Sequence, residues 1–496
     1  MMWGMAQPRS WEAWSRAAWR RHLPDVADPD AFVAAIGHGT IHGLAHATAH
    51  ATPDRPAIRI GGGEVTHGQL DSRAARFARW VGNQIAPGDR VLIAAPLGVD
   101  WVACYLGTLR VGGVAVLVNP AYTRAELDQL VVAAQPVEIL TQLDESMFAA
   151  DPAPWVESAG PDTTAVLAFT SGTTGLPKGV PLTHRQLLTS IRSAMSAWRW
   201  RARDVLVHAL PLFHQHGLGG VHATLIAGSR LSCLTRFDPE ALLAEVVRAK
   251  ATVLFAVPTM YQRLPDTPYE LNRLRLSVSG SAALGRAAAE RAEHVLGRAP
   301  LVRYGATESG LDTSHVYTDL RDPDRARTIG LPLPGIELRL AAGDGEIQLR
   351  GPQVFGGYWG DGASNQSAFT EDGWFRTGDI GRVDDSTGEV IIEGRSKEVI
   401  ITGGLNVYPR EVEIALESHP GVAEAVVAPL ASEEWGEQVT AWVVMAPGAT
   451  FDERVLINHS RTLLAAYKCP KRVFEMDTLP RNHVGKIDRR KLQPIP

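Results

Sequence analysis

Long apolar runs are missing from this sequence. None approaches the ~18 residues that a membrane-spanning helix needs, and the N-terminus carries no apolar stretch with a small-residue cleavage site. Cysteine is nearly absent: Cys104, Cys233 and Cys469 stand far apart and form no CxxC or Cys/His spacing. That pattern indicates neither a disulfide framework nor a zinc site, and it fits a reducing cytoplasm. A basic surface is lacking too. The net charge is -5, with no stripe of basic residues interleaved with aromatics, which argues against a nucleic-acid partner. Internal repeats and low-complexity tracts are also missing. Lysine is scarce, since 7 of the 49 basic residues are Lys and the rest are Arg. In such a chain a Lys inside a Gly-rich loop asks what only a compact ammonium can do.

What is present is ordinary globular composition, 45% hydrophobic and 21% charged, over 496 residues. That length exceeds one compact core, so two or more domains are expected. From Ile41 to about Gln142, and again from Asp204, apolar strands alternate with helical patterns, which predicts α/β layering with a mostly parallel sheet. After Thr328 short alternating segments predict a β-rich module. Glycines bracket a charged turn near Gly394 to Asn406, which reads as a domain boundary before a small α+β domain. The segment Trp11 to Leu23 is amphipathic. Flanking acids argue for a helix docked on its own domain rather than a transit peptide.

The stretch Thr170 to Gly179, TSGTTGLPKG, carries the strongest signal. Its glycines let backbone N–H groups approach an anion, its hydroxyls add donors, and Lys178 adds a point charge. Between the apolar run Ala165 to Phe169 and helical spacing from Thr183, it reads as a phosphate-holding strand-to-helix loop. It is not a Walker A loop, because Lys178 follows Pro177 and precedes Gly179.

Three further stretches are weak alone. Arg303 to Glu308, RYGATE, offers Glu308 for magnesium and Thr307 for a phosphate oxygen, or an ordinary turn and cap. Thr377 to Asp379, TGD, offers Asp379 for ribose hydroxyls, or local turn structure. Pro480 to Lys486, PRNHVGK, ends on one of the few lysines.

Together, and in this order with GRSKEVIITGGLNVYPREVE, these motifs resemble the acyl-adenylate-forming superfamily of acyl-CoA synthetases, peptide-synthetase adenylation domains and firefly luciferase. The resemblance runs from about Leu44 nearly to the end. It implies a large N-terminal domain of layered α/β sheets plus a β-rich module (1–394), a hinge (395–397) and a small mobile C-terminal α+β domain (398–496). It also implies ATP, magnesium and CoA, with a carboxylate attacking ATP to give acyl-AMP and a thiol then displacing AMP.

Carried over by position, Thr170, Ser171, Gly172, Thr173, Thr174, Gly175 and Lys178 would cradle the β- and γ-phosphates. Glu308 would hold the metal beside Thr307, and Asp379 the ribose with Arg395 close by. Lys486, with Thr174 and Glu308, would form the catalytic set, Lys397 the hinge, and Gly403 and Gly404 the thiol's entry. Within the superfamily, HALPLFHQHGL, VPTMYQRL, SGSA, RYGATESGLDTSH and GLPLPG are similar to malonyl-CoA synthetases. That likeness implies a short dicarboxylic acid bound by Arg263 and Ser281, with His214 gating the acyl pocket. Bidentate Arg recognition suits such an acid; the plainer alternative pairs Arg263 with Asp266 or Glu270.

Two positions depart from the pattern: Ala306 stands where Met is expected and Asp312 where Asn is expected. A carboxylate facing the acyl pocket would repel malonate and favour a neutral or amine-bearing acid. A carrier protein or other nucleophile in place of CoA, and a catalytically silent nucleotide-binding scaffold, are the remaining readings. Intact Lys178, Glu308, Asp379 and Lys486 argue against the silent one.

Overall fold

The computed structural model describes residues 10–170, 177–266, 271–319, 326–402, 405–432, 435–481 and 487–492. Among them the strands form four sheets. The largest has six parallel strands at its centre, in the order Leu301–Tyr304, Leu276–Ser279, Val253–Ala256, Val205–His208, Arg230–Cys233 and Pro56–Ile60, with antiparallel strands added at both ends. These central strands are nearly continuous runs of buried residues, as expected when helices cover both faces. A second sheet orders Glu138–Leu140, Arg90–Ile93, Val114–Leu117, Thr164–Thr170 and Lys178–Thr183, the last strand antiparallel. The β-rich module is a four-stranded antiparallel sheet, Glu337–Leu340, Glu346–Arg350, Phe375–Val383 and Val390–Arg395.

One apolar core joins these three sheets, with Ile58, Val91 and Ile347 in the same cluster and Trp101, Tyr105 and Trp198 among its largest buried side chains. Beyond Arg395 the chain builds a separate core around Val412, Val427, Val439 and Leu456. There the helices Pro409–Glu417 and Glu453–Leu463 accompany the sheet of Ile400–Thr402, Leu405–Val407, Val422–Ser432, Gly436–Met445 and Arg472–Glu475. The fold is the expected one of a large α/β N-terminal part and a smaller α+β C-terminal part.

The N-terminal helix Trp11–His22 docks on its own chain. The Trp19 indole N–H donates to the Ile336 carbonyl at 2.9 Å, and the Leu338 N–H donates to Ser15 Oγ at 3.1 Å.

One local expectation changes, and one helix had no sequence signal. The Gly-rich stretch leads from Thr164–Thr170 into a second strand, Lys178–Thr183, and the helix His184–Ala197 starts only after it. The turn is therefore strand to strand rather than strand to helix. Pro181 hides that strand from a sequence reading, yet it is tolerated because the strand lies at the sheet edge. Thr183 then both ends the strand and caps the helix: Thr183 Oγ1 accepts from the Gln186 N–H, and the Gln186 side chain accepts from the Thr183 N–H. The helix Gln215–Ala227 is concealed by its own glycines, which weaken helices. Packing requires two of them, because a Cβ at Gly217 would strike the Pro211 carbonyl and one at Gly220 would meet Leu206 and His208.

Candidate active site

The polar half of the site is assembled by strand ends. Lys178 opens the edge strand, and its Nζ donates to Ser364 Oγ at 2.6 Å, lies 4.0 Å from Asp361 and sits 5.0 Å over the Tyr358 ring. The Tyr358 hydroxyl donates to Glu308 Oε1 at 3.0 Å. Burial, and next the Glu308 charge, raise the Tyr358 hydroxyl above its usual range, so it stays a donor. One aromatic side chain thus brings the sequence-distant Lys178 and Glu308 to a common place.

Asp379 lies opposite Arg395 in the antiparallel register of Phe375–Val383 with Val390–Arg395. Arg395 Nε donates to its Oδ1 at 2.8 Å and the Tyr304 hydroxyl to its Oδ2 at 2.6 Å. Tyr304 is two residues before Ala306 on the strand that leads to Thr307 and Glu308, so Asp379 and Glu308 are tied to the same loop.

That loop is tight. Gly310 adopts φ +83°, its N–H returns to the Ala306 carbonyl at 2.8 Å, and a Cβ at Gly305 would strike the Gly310 carbonyl. The helix His184–Ala197 fixes it from outside, Ser190 Oγ accepting from the Leu311 N–H at 2.9 Å. Gln215, at the start of its helix, donates through Nε2 to the Thr307 carbonyl at 2.7 Å.

Gln215 also separates two cavities. One is lined by His214, Phe213, Phe169 and Thr307. The other, of about 30 Å³, is lined by Gln215, His216, His222, Trp198, Phe255 and Arg303. Arg303 is 7% exposed, and its Nε has no partner among the described residues. Burial lowers the guanidinium to about 10, against the pull of Asp312. His216 is buried as well; its Nε2 has no partner among the described residues, while Nδ1 lies 3.5 Å from Ser281 Oγ. Burial, then the Arg303 charge, push His216 well below its ordinary range, so it is neutral. Gly280 makes room for this arginine, since a Cβ there would collide with the guanidinium, and the next residue, Ser281, takes φ +73°, a left-handed conformation uncommon outside glycine.

Asp312 does not line that cavity. It is 0% exposed, with Oδ2 accepting from Ser309 Oγ at 2.6 Å and Oδ1 facing Gln353 Nε2 at 3.5 Å. The surface position of Arg263 is the main difference from expectation. Arg263 follows the short helix Pro258–Gln262, is exposed, and lies 5.0 Å over the Phe237 ring rather than in the cavity. Nor does it pair with Asp266, which bonds Arg291 at 2.7 Å. The cation that lines the cavity, among the described residues, is Arg303, the first residue of RYGATE. Its only signal in the sequence was an arginine ending a buried strand just before a tight Gly turn.

Ser171, Gly172, Thr173, Thr174, Gly175, Gly403, Gly404 and Lys486 lie outside the described residues, as does the side chain of Lys397. Thr170, which does lie within them, ends its strand paired with Lys178.

The chain matches the family model of AMP-binding enzymes over residues 45–359 and that of the AMP-binding enzyme C-terminal domain over residues 411–486. It is 32% identical to a malonate-CoA ligase of Arabidopsis thaliana, over 89% of this chain and 86% of that protein. A long-chain-fatty-acid-CoA ligase of Bacillus subtilis is 31% identical over 89% and 91%. The crystal structure of ATP-bound MatB from Rhodopseudomonas palustris superposes with a TM-score of 0.83 at 35% identity, covering 91% of this chain and 98% of that one.

Proposed function

We propose, from the premise that this chain belongs to the AMP-binding enzyme family, that it is an AMP-forming acyl-CoA synthetase that activates malonate or a similar short dicarboxylic acid. The observation that carries the choice of acid is Arg303. A buried guanidinium with an unpartnered Nε, beside a neutral histidine in a cavity of about 30 Å³, suits a small anionic group.

Lys178 and the Gly-rich loop Thr170 to Gly179 hold the β- and γ-phosphates. Magnesium commonly binds through one or two carboxylates together with phosphate oxygens, and Glu308 fits that role. Among the described residues there is no cluster of three or more ligating side chains that would suggest another metal site. When bound, the ion offsets the negative charge of the phosphates. Asp379, oriented by Tyr304 and Arg395, receives the ribose hydroxyls. One substrate carboxylate attacks the α-phosphorus and pyrophosphate leaves, with Lys486 stabilising charge on the phosphoryl oxygens. The distal carboxylate meanwhile sits on Arg303, which fixes the attacking end between His214 and Thr307.

Residues 398–496 act as a lid that turns on the hinge 395–397. The turn withdraws Lys486 and brings Gly403 and Gly404 to the entering thiol, which attacks the acyl carbon and releases AMP. The acceptor is CoA, and the three free, buried cysteines fit a cytoplasmic setting.

The test is pyrophosphate release across small acids with and without CoA. Malonate should give AMP, and malonyl-CoA only when CoA is present. A carrier-protein acceptor would instead give no thioester with CoA, and no release with any dicarboxylate would refute the choice of acid.

A further inference from the structure

We infer that Asp312 is a specificity-determining residue that takes up one proton when the distal carboxylate of the substrate docks on Arg303. The inference rests on the dicarboxylate reading above and deepens it.

Charge balance makes the case. Among the described residues Arg303 is the one permanent cation lining the cavity, and its Coulomb attraction reaches Asp312. With Asp312 ionised, the two sum to zero. A substrate carboxylate then leaves one net negative charge in a buried site, and a buried group in that position neutralises rather than staying charged. Asp312 is the group placed to do so. It is wholly buried, and burial already pushes its carboxyl up to about 7 against the opposing hydrogen bonds from Ser309 and Gln353 and the charge of Arg303.

The surroundings can also receive the new O–H. Gln353 Nε2 is committed to the Ser309 and Leu311 carbonyls at 3.0 and 2.5 Å, which fixes the orientation of its amide. Its Oε1 is buried and has no donor among the described residues. A protonated Asp312 has an acceptor elsewhere: the Ser309 hydroxyl, 2.6 Å from Oδ2, can turn from donor to acceptor.

The other titratable groups near Asp312 are engaged elsewhere. The Tyr304 hydroxyl, on the adjoining strand, donates to Asp379. His216, from the helix Gln215–Ala227, is held neutral by burial and by Arg303. His315, three residues on, bonds Thr328, which in turn donates to Glu389.

The test compares kcat/KM for malonate, read as pyrophosphate release from pH 6 to 9, in the wild type and in Asp312→Asn. The variant-to-wild-type ratio cancels the pH dependence of the shared chemistry. It should be near unity at pH 6 and rise above pH 7 to roughly 30-fold at pH 8.5, the value for one proton with a midpoint near 7. Calorimetry of malonate binding in two buffers of different ionisation enthalpy should show uptake approaching one proton at pH 8 in the wild type and none in the variant. A flat ratio, a variant uniformly weaker at every pH, or wild-type binding without proton uptake overturns the inference. The calorimetry of the wild type decides it even if Asp312→Asn does not fold. Turnover of malonate with a flat ratio defeats this inference alone, whereas failure of the wild type to bind or turn over malonate at any pH defeats the dicarboxylate reading with it.

Discussion

Around Lys178, Glu308 and Asp379, each side chain proposed for the nucleotide already bonds another side chain: Ser364, Tyr358, and the pair Tyr304 and Arg395. Around Arg303 the reverse holds, and Arg303 Nε and His216 Nε2 lie buried without partners among the described residues. Lys178 and Glu308 are half-buried and Asp379 is buried but already paired, so ATP can exchange one set of polar contacts for another at small net gain. The cavity of Arg303 is buried, and an unmade hydrogen bond there is costly until a ligand makes it. Chemistry common to many acids belongs on the first side and discrimination between acids on the second.

The sharpest way to break that division is Lys486→Ala. It should slow adenylation of every acid by about 10²–10³-fold, the effect of losing one preorganised donor at developing charge. Thioester formation from supplied malonyl-AMP should survive; equal loss of both half-reactions would show that Lys486 does not act in the first step alone.

Arg303→Met comes next. It should lower kcat/KM for malonate on the order of 100-fold, since hydrogen bonds to a buried charge are lost, while ATP binding measured by calorimetry stays intact. Unchanged malonate kinetics would remove Arg303 from acid recognition. Gly280→Ala, which pushes a methyl into the guanidinium, should copy that selectivity loss in part.

Burial on the acid side has a pH signature as well. Desolvation lowers His208, behind the cavity, and His222, in its wall, to about 3 each. Their folded values lie below the unfolded value near 6.5, so the unfolded chain binds more protons as the pH falls below 6.5. Each histidine therefore removes up to about 1.4 kcal/mol of stability per pH unit until its folded value is reached. Melting temperature should be level from pH 8 to 7 and fall steadily from pH 6.5 to 4. In a His222→Gln variant the fall should be shallower; an equal slope would mean that His222 is not held neutral by the fold.

The smallest effect is expected from Arg263→Met. An exposed arginine over Phe237 contributes about 0.5–1 kcal/mol of local stability, and malonate kinetics should stay within about threefold. A large loss specific to malonate would return Arg263 to the acid site and undo the assignment to Arg303.

The residues proposed for the nucleotide stand in contiguous runs of the sequence, which is why a sequence reading can name them. TSGTTGLPKG, RYGATE and TGD each carry glycine turns beside the groups that need them, and the alternation of strands and helices announced the α/β layering. The link between those runs was not legible. Tyr358 joins Lys178 to Glu308 from a stretch without any motif, and Tyr304 reaches Asp379 across 75 positions.

For the acid side the limit was deeper. An arginine on a helix end and an arginine on a buried strand end look alike in sequence, and likeness to other proteins favoured Arg263. The sequence by itself determined the adenylate-forming class and the α/β architecture, because those depend on local motifs and periodicity. Only the tertiary structure decided which cation is desolvated and that Asp312 stands behind the cavity wall. Burial and the surrounding field are properties of the packed whole, set by residues far apart in the chain, and they govern how strongly a charge is felt.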